Sequence, residues 1–295
     1  MQHRTRSQPK SAAPEQPMVT TPTLSLRQRA HEAAVALLER FGRVPRVAML
    51  LGTGHGLIAN QLTDKVVVQE ESMPVGLRFA QQAPLLFGTL EGVPVVVGEA
   101  PIGAWEVQAQ SDVGFPVRVL RAMGADVLIL TAGAASLVPQ IEPGSIAVVE
   151  DHLNFSGTNP LQGLREDELA PRFPDMSDPY TRRWREYARE VARQGGIPCV
   201  PAVFATMPGP SLPTRAEYRF LRTVGADLVG MSLAPEVVTA VHAGFEVLAL
   251  CGIMQTVSLE SRAPTSIEKM LDAADLAAPR MAAVLAGVVR GLSRG

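Results

Sequence analysis

Two short segments combine residue types and spacing that suit the binding of anions. Gly52-Thr53-Gly54-His55-Gly56 follows an apolar strand and precedes the helix-like run Leu57–Leu62. Glycines at such a place let backbone N–H groups approach an anion at a helix start, and Thr53 adds a hydroxyl. The same residues also make a tight strand-to-helix turn, and a dinucleotide fingerprint would need glycine where Leu57 stands. Met231-Ser232 follows the apolar stretch Leu228–Gly230 and precedes a helix opened by Pro235 and Glu236. The Ser232 hydroxyl can therefore face an anion or a sugar, while Glu236 can equally do no more than complement the helix dipole.

Other chemistries find less support. His55, His152 and His242 show no metal-ligand spacing among themselves or with cysteine, so no metal site is expected. His242 reads as structural, and His152 as a residue that bonds a loop carbonyl or touches substrate. Ser136, Ser211 and Ser232 lack the Gly-x-Ser-x-Gly context of a nucleophile elbow. Cys199 and Cys251 lie in apolar strand-like runs and read as buried thiols in a reducing compartment rather than a disulfide framework.

The elements that must position these groups alternate along the chain. A helix is expected after Ser25, with Leu26, Ala30, Ala33, Ala34, Leu37 and Leu38 on its apolar face and Gly42 as its stop. Arg46–Leu51 reads as a buried strand, and Glu91-Gly92 as the turn of a hairpin between Leu85–Leu90 and Pro94–Gly98. Helical spacing runs from about Val107 to Met123, followed by strands at Asp126–Thr131 and Ser145–Glu150 and a long loop from Asp151 to Asp178. Helices at Pro179–Gln194, Thr214–Val224, Pro235–Ala243 and from Ser266 then alternate with strands at Cys199–Ala205, Asp227–Gly230 and Glu246–Cys251. This alternation predicts one α/β domain over residues 24–295 around a mostly parallel or mixed sheet, with residues 1–23 as a disordered tail. The 295 residues carry a net charge of -2 and few aromatics, which argues against nucleic acid as a partner. No apolar run has membrane-spanning length, and a cytoplasmic protein is expected.

With these segments placed, the chain resembles the purine nucleoside phosphorylase family of the trimeric type, related also to methylthioadenosine phosphorylase. The resemblance runs from about Val47 to Leu285 and is strongest in Phe115–Gly144, Asp151–Leu161, Arg172–Tyr180 and Gly209–Glu236. It implies an α/β fold whose mixed sheet closes into a distorted barrel, assembly as a homotrimer, no cofactor, and a pentosyltransferase that adds phosphate to the anomeric carbon of a nucleoside. Carried over, Thr53, Gly133 and Ser232 match phosphate-binding positions. Met231 matches the methionine under the ribose, Ala132 lies beside it in the nucleoside site, and Phe155 matches an aromatic that crosses into the neighbouring subunit.

The resemblance also marks departures. The family's Gly-Arg-x-His reads Gly98-Glu99-Ala100-Pro101, its following tyrosine reads Gly103, and an earlier histidine reads Gln81. The carboxylate that anchors the purine reads Pro213, the purine-binding Asn reads Gln255, and the histidine facing the 5′ hydroxyl reads Ile267, which suits an apolar 5′ substituent. Loss of an arginine forfeits charge-assisted hydrogen bonds worth about 1.5–3 kcal/mol each. Glu99 and Gln255 are then the candidate catalytic groups, with Pro213, Gln255 and Ile267 in the nucleoside site. Four readings stay open: a phosphorylase with altered phosphate and base sites, a hydrolase in which Glu99 or Glu106 activates water, a non-catalytic homologue that binds a nucleoside or a partner protein, and a different reaction on a related scaffold.

Overall fold

The computed structural model describes residues 24–52, 54–79, 83–99, 110–164, 171–258, 260 and 265–293. The first helix, α1 (Leu26–Phe41), starts on a capping box in which Ser25 and Gln28 satisfy each other's backbone N–H groups. Gly42 ends it in the left-handed region at φ 74°. Strand β1 (Val47–Leu51) then enters the core and is buried along its whole length.

A short 3-10 turn at Gly56–Gln61 leads into β2 (Thr63–Val68), which pairs with β3 (Leu85–Leu90). Strand β4 (Val93–Glu99) returns antiparallel to β3 through Glu91 and Gly92, both at positive φ. That is the conformation a two-residue hairpin of matching twist requires. The rest follows as α2 (Gln110–Ala122), β5 (Val127–Ser136), β6 (Ile146–Asn154), α3 (Arg182–Gln194), β7 (Cys199–Thr206), α4 (Arg215–Thr223), β8 (Leu228–Gly230), α5 (Ala234–His242), β9 (Glu246–Thr256) and α6 (Ile267–Leu292).

The strands form one mixed sheet in the order β2-β3-β4-β1-β5-β8-β7-β6-β9, and a further β5–β9 pairing closes it. The ring β5-β8-β7-β6-β9 is thus a small barrel, with β1 to β4 as an open wing. This is the distorted barrel that the resemblance implied. Alternate residues of β1 serve opposite layers: Ala48 and Leu50 pack with α1, α2 and α5, while Val47, Met49 and Leu51 pack with α3 and α6.

Three strands run further than expected, the first being β5, which continues past Thr131 to Ser136. Strand β6 continues to Asn154 because β7 supplies partners as far as Asn154↔Thr206, which shortens the long loop. Strand β9 continues to Thr256 against β5, with a register shift between Ala134 and Ala135. No helix among the described residues is long and apolar enough to cross a membrane.

Candidate active site

Strands β1, β4 and β5 run parallel, in register Leu51↔Glu99 and Leu50↔Leu130. Their carboxyl ends therefore share one rim, the usual ligand side of a parallel α/β sheet. Gly52 leaves β1 on that rim, close enough to β5 that a Cβ on it would lie 2.8 Å from the Thr131 carbonyl oxygen. The Gly52 N–H donates to Thr131 Oγ1 at 2.9 Å, and Thr131 Oγ1 lies 2.8 Å from His55 Nδ1. His55 is buried, and burial pushes its imidazole down to about 4, so it is neutral at ordinary pH. Thr53 lies outside the described residues, but both of its flanks are tied to β5 in this way. Glu99 closes β4 on the same rim; its side chain, like Glu106, Gln81, Pro101 and Gly103, lies outside what the structure describes.

The turn between β8 and α5 carries Met231 and Ser232, both half-buried. Thr206 Oγ1 donates to the Ser232 carbonyl oxygen at 2.8 Å and accepts the Ala234 N–H at 3.3 Å. Leu233 holds φ 95°, a rare conformation for a side chain of its size. Its N–H donates to Glu236 Oε2 at 2.8 Å. Glu236 thus does more than face the helix dipole; it clamps the backbone of the turn. Burial pushes its carboxyl up to about 7, against the opposing effect of its hydrogen bonds to backbone N–H groups.

Gly133 on β5 lies beside this turn: a Cβ on Gly230 would lie 3.1 Å from the Gly133 carbonyl oxygen. The Met254 thioether rests directly on Gly133, in the space a side chain there would need. Met254 is the extra residue of the β9 bulge, since Ala134 pairs with Ile253 and Ala135 with Gln255. A bulge turns neighbouring side chains that would alternate toward the same side. Met254 and Gln255 accordingly both line one cavity, of about 820 Å³, with Pro213, Thr214, Tyr218 and Lys269. The size suits a small-molecule ligand. Tyr218, on the buried side of α4, shares the cavity wall with Gln255; burial pushes its phenol up, and the Gln255 amide opposes that rise.

Pro213 and Gln255 are therefore brought together, while Gly133 lies under Met254 and against Gly230, the residue that leads into Met231 and Ser232. Ile267 is exposed at the start of α6, and its neighbours Ser266, Lys269 and Met270 line the cavity instead. Ala132 is buried in the core, and Phe155 is partly exposed with its ring 5.8 Å from that of Phe220. Met254, Tyr218 and Lys269 were not anticipated from the sequence. The signal for Met254 is only its adjacency to Gln255, and the bulge that gives it meaning arises from pairing with a distant strand.

Comparison with known proteins agrees with this arrangement. The family model described as the phosphorylase superfamily matches residues 46–290. Purine nucleoside phosphorylase 1 of Bacillus subtilis is 35% identical over 250 residues, which cover 84% of this chain and 92% of the relative. Purine nucleoside phosphorylase of Bos taurus is 35% identical over 263 residues, covering 85% and 90% respectively. The structure of Schistosoma mansoni purine nucleoside phosphorylase in complex with inosine superposes with a TM-score of 0.84 at 27% identity, over 89% of this chain and 95% of that one. By sequence over most of its length, and by the closed barrel β5-β8-β7-β6-β9 with β1 to β4 as its wing, the chain belongs to the phosphorylase superfamily.

Proposed function

We propose that this chain is a purine nucleoside phosphorylase-like pentosyltransferase whose phosphate and base positions have been rebuilt. The observation that carries the reading is the β9 bulge, which aims Gln255 into the cavity beside Pro213 while Met254 covers Gly133. In this reading a phosphate oxygen bonds to the anomeric carbon of the nucleoside. The glycosidic C–N bond breaks, its electron pair stays on the purine, and the purine takes up a proton. The products are a pentose 1-phosphate and a free base.

The proposed roles follow the strand ends. Thr53, the Gly133 backbone N–H and Ser232 hold phosphate, with the α5 N-terminus behind Ser232 adding its dipole. Met231 packs under the sugar, and Ala132 shapes the floor beside it. Gln255, steadied by Tyr218, bonds the base and supports the charge that develops on it. Pro213 offers the base an apolar edge where the family motif has a carboxylate. Phe155 is proposed to reach a neighbouring subunit's site in a homotrimer, and Ile267 to lie near the 5′ end of the substrate. Glu99 stands where the motif has arginine, so the phosphate must draw its positive partners from elsewhere on the rim.

Base release from a panel of purine and 5′-modified nucleosides, with and without phosphate, tests the reading. Release that requires phosphate and yields a pentose phosphate by mass spectrometry is expected. Release without phosphate would make the protein a hydrolase, with Glu99 the first residue to replace by alanine. Nucleoside binding without any release would leave a non-catalytic homologue.

A further inference from the structure

A second cavity, of about 490 Å³, opens on the other side of the sheet, among α1, α2 and the C-terminal end of α5. Arg27, Gln28 and His31 of α1 face Arg118 and Arg121 of α2 across it, and the rest of its lining is alanine. Among the described residues, no carboxylate lines it. Arg121 is already engaged: it pairs with Asp126 at 3.2 Å and donates to the carbonyl oxygens of Ala243 and Ala125, each at 3.2 Å.

Arg118 is different. The residue is 5% exposed, its Nη1 lies 3.2 Å from His242 Nδ1, and its Nη2 is buried with no hydrogen-bond partner. Burial lowers the guanidinium only to about 10, so it stays charged at neutral pH. The His242 imidazole is held below its usual value by burial and by the Arg118 charge, so it is neutral and accepts rather than competes. A charged donor is therefore buried behind the wall of a cavity, and among the described residues its Nη2 amino group has no hydrogen-bond partner. Buried polar groups are rarely left in that condition, and buried charges are normally paired.

We propose that this cavity binds a small metabolite through an oxyanion, a phosphate ester or carboxylate, with Arg118 as the buried anchor and Arg27 and His31 at the mouth. A planar guanidinium matches the paired oxygens of either group. The volume exceeds what a bare phosphate fills and leaves room for a sugar or short carbon skeleton against the alanines. Helix α5 links this cavity to the Ser232 turn, about 14 Å away along nine residues. Ligand binding at one end is thus in a position to bias the other. The proposal stands independently of the substrate read into the first cavity.

The test begins with crystals soaked in tungstate. An anomalous peak in the cavity beside the Arg118 guanidinium is expected; no peak there would overturn the proposal. Binding of radiolabelled phosphate then compares the native protein with Arg118→Met and with the surface double variant Arg27→Ser/His31→Ser. Both should weaken one class of phosphate site at least tenfold and leave nucleoside binding intact. If Arg118→Met fails to fold, the surface variant decides, and unchanged phosphate binding in it would refute the site. Ribose 5-phosphate and citrate serve as competitors. Displacement by the first identifies a phosphate ester as the ligand class and by the second a carboxylate. Displacement by neither would mean an adventitious ion only and would overturn the metabolite site.

Discussion

Thr131 Oγ1 lies 2.8 Å from His55 Nδ1 while it accepts the Gly52 N–H at 2.9 Å. One hydroxyl in the middle of β5 thereby ties down both flanks of the Gly52–Gly56 loop. With the Gly52 N–H donating to the oxygen, the hydroxyl proton is available to an unprotonated Nδ1. The neutral state that burial imposes on His55 is the one this geometry uses.

That neutrality has a pH cost with a definite sign. His55 moves from 6.5 to about 4 on folding, so the unfolded chain binds its proton first as pH falls. The contribution is constant above about pH 6.5, declines between pH 6.5 and 4, and reaches on the order of 3 kcal/mol. Urea unfolding of the native protein and His55→Gln at pH 8 and pH 4.5 checks this. The native protein should lose more stability than the variant on acidification.

Glu236 carries the opposite sign. Its carboxyl rises from 4.5 to about 7 on folding, so the protonated form stabilises the native state at low pH. That advantage is full below about pH 4.5 and is lost as pH rises to about 7, again on the order of 3 kcal/mol. Glu236→Gln should keep an acceptor for the Leu233 N–H and flatten this dependence, gaining stability relative to the native protein at pH 8. A variant that unfolds in parallel with the native protein across the range would contradict the assignment.

Gly133→Ala separates packing from binding. The new methyl group meets the Met254 thioether, a flexible side chain that can swing aside, so stability should fall by only about 1 kcal/mol. The thioether swings into the cavity, however, and KM for nucleoside should rise about tenfold. Met254→Ala in the same chain should restore most of KM. Thermal melts and initial-rate kinetics on the single and double variants give both readings.

In the proposed site Tyr218 positions Gln255. Tyr218→Phe removes the hydroxyl that faces the Gln255 amide; a hydrogen bond there, worth about 0.5–1.5 kcal/mol, should make kcat/KM fall by roughly three- to tenfold. Its effect should largely vanish in a Gln255→Ala background, because the two residues share one interaction. Additive losses in the double variant would mean that Tyr218 acts on the cavity by itself.

Pro213→Glu asks whether the rebuilt base edge limits the reaction. The residue precedes the Thr214 cap of α4, where a carboxylate is compatible with the helix dipole. A restored charge-assisted hydrogen bond of about 1.5–3 kcal/mol should raise kcat/KM for inosine at least tenfold. A fall with inosine, alongside unchanged stability, would show that the cavity has been rebuilt around a different base.

Much of the scaffold was legible because it is local. The Ser25 cap and Gly42 stop of α1, the Thr214 cap of α4 and the Glu91-Gly92 hairpin each depend on backbone groups within a few residues. Strand β2 was not anticipated: its residues Thr63–Val68 are largely exposed, so no buried periodicity marks them, and only pairing with β3 makes them a strand. The last residues of β5, β6 and β9 were missed for the same reason.

By itself, the sequence determined the alternation of strands and helices and carried the family resemblance, which implies that the usual phosphate and purine groups are replaced at several positions. The alternation follows from short-range capping, turn chemistry and hydrophobic spacing, which need no knowledge of the partner strand, whereas the replaced positions are what the family resemblance implies. Only the tertiary structure decided that β5 and β9 close the barrel, that the Met254 bulge turns Gln255 into a cavity with Pro213, and that Arg118 is buried with one N–H group unmet. Each depends on segments distant in the chain that meet only when the sheet closes, and burial, which sets the charge of His55 and Glu236, exists only then.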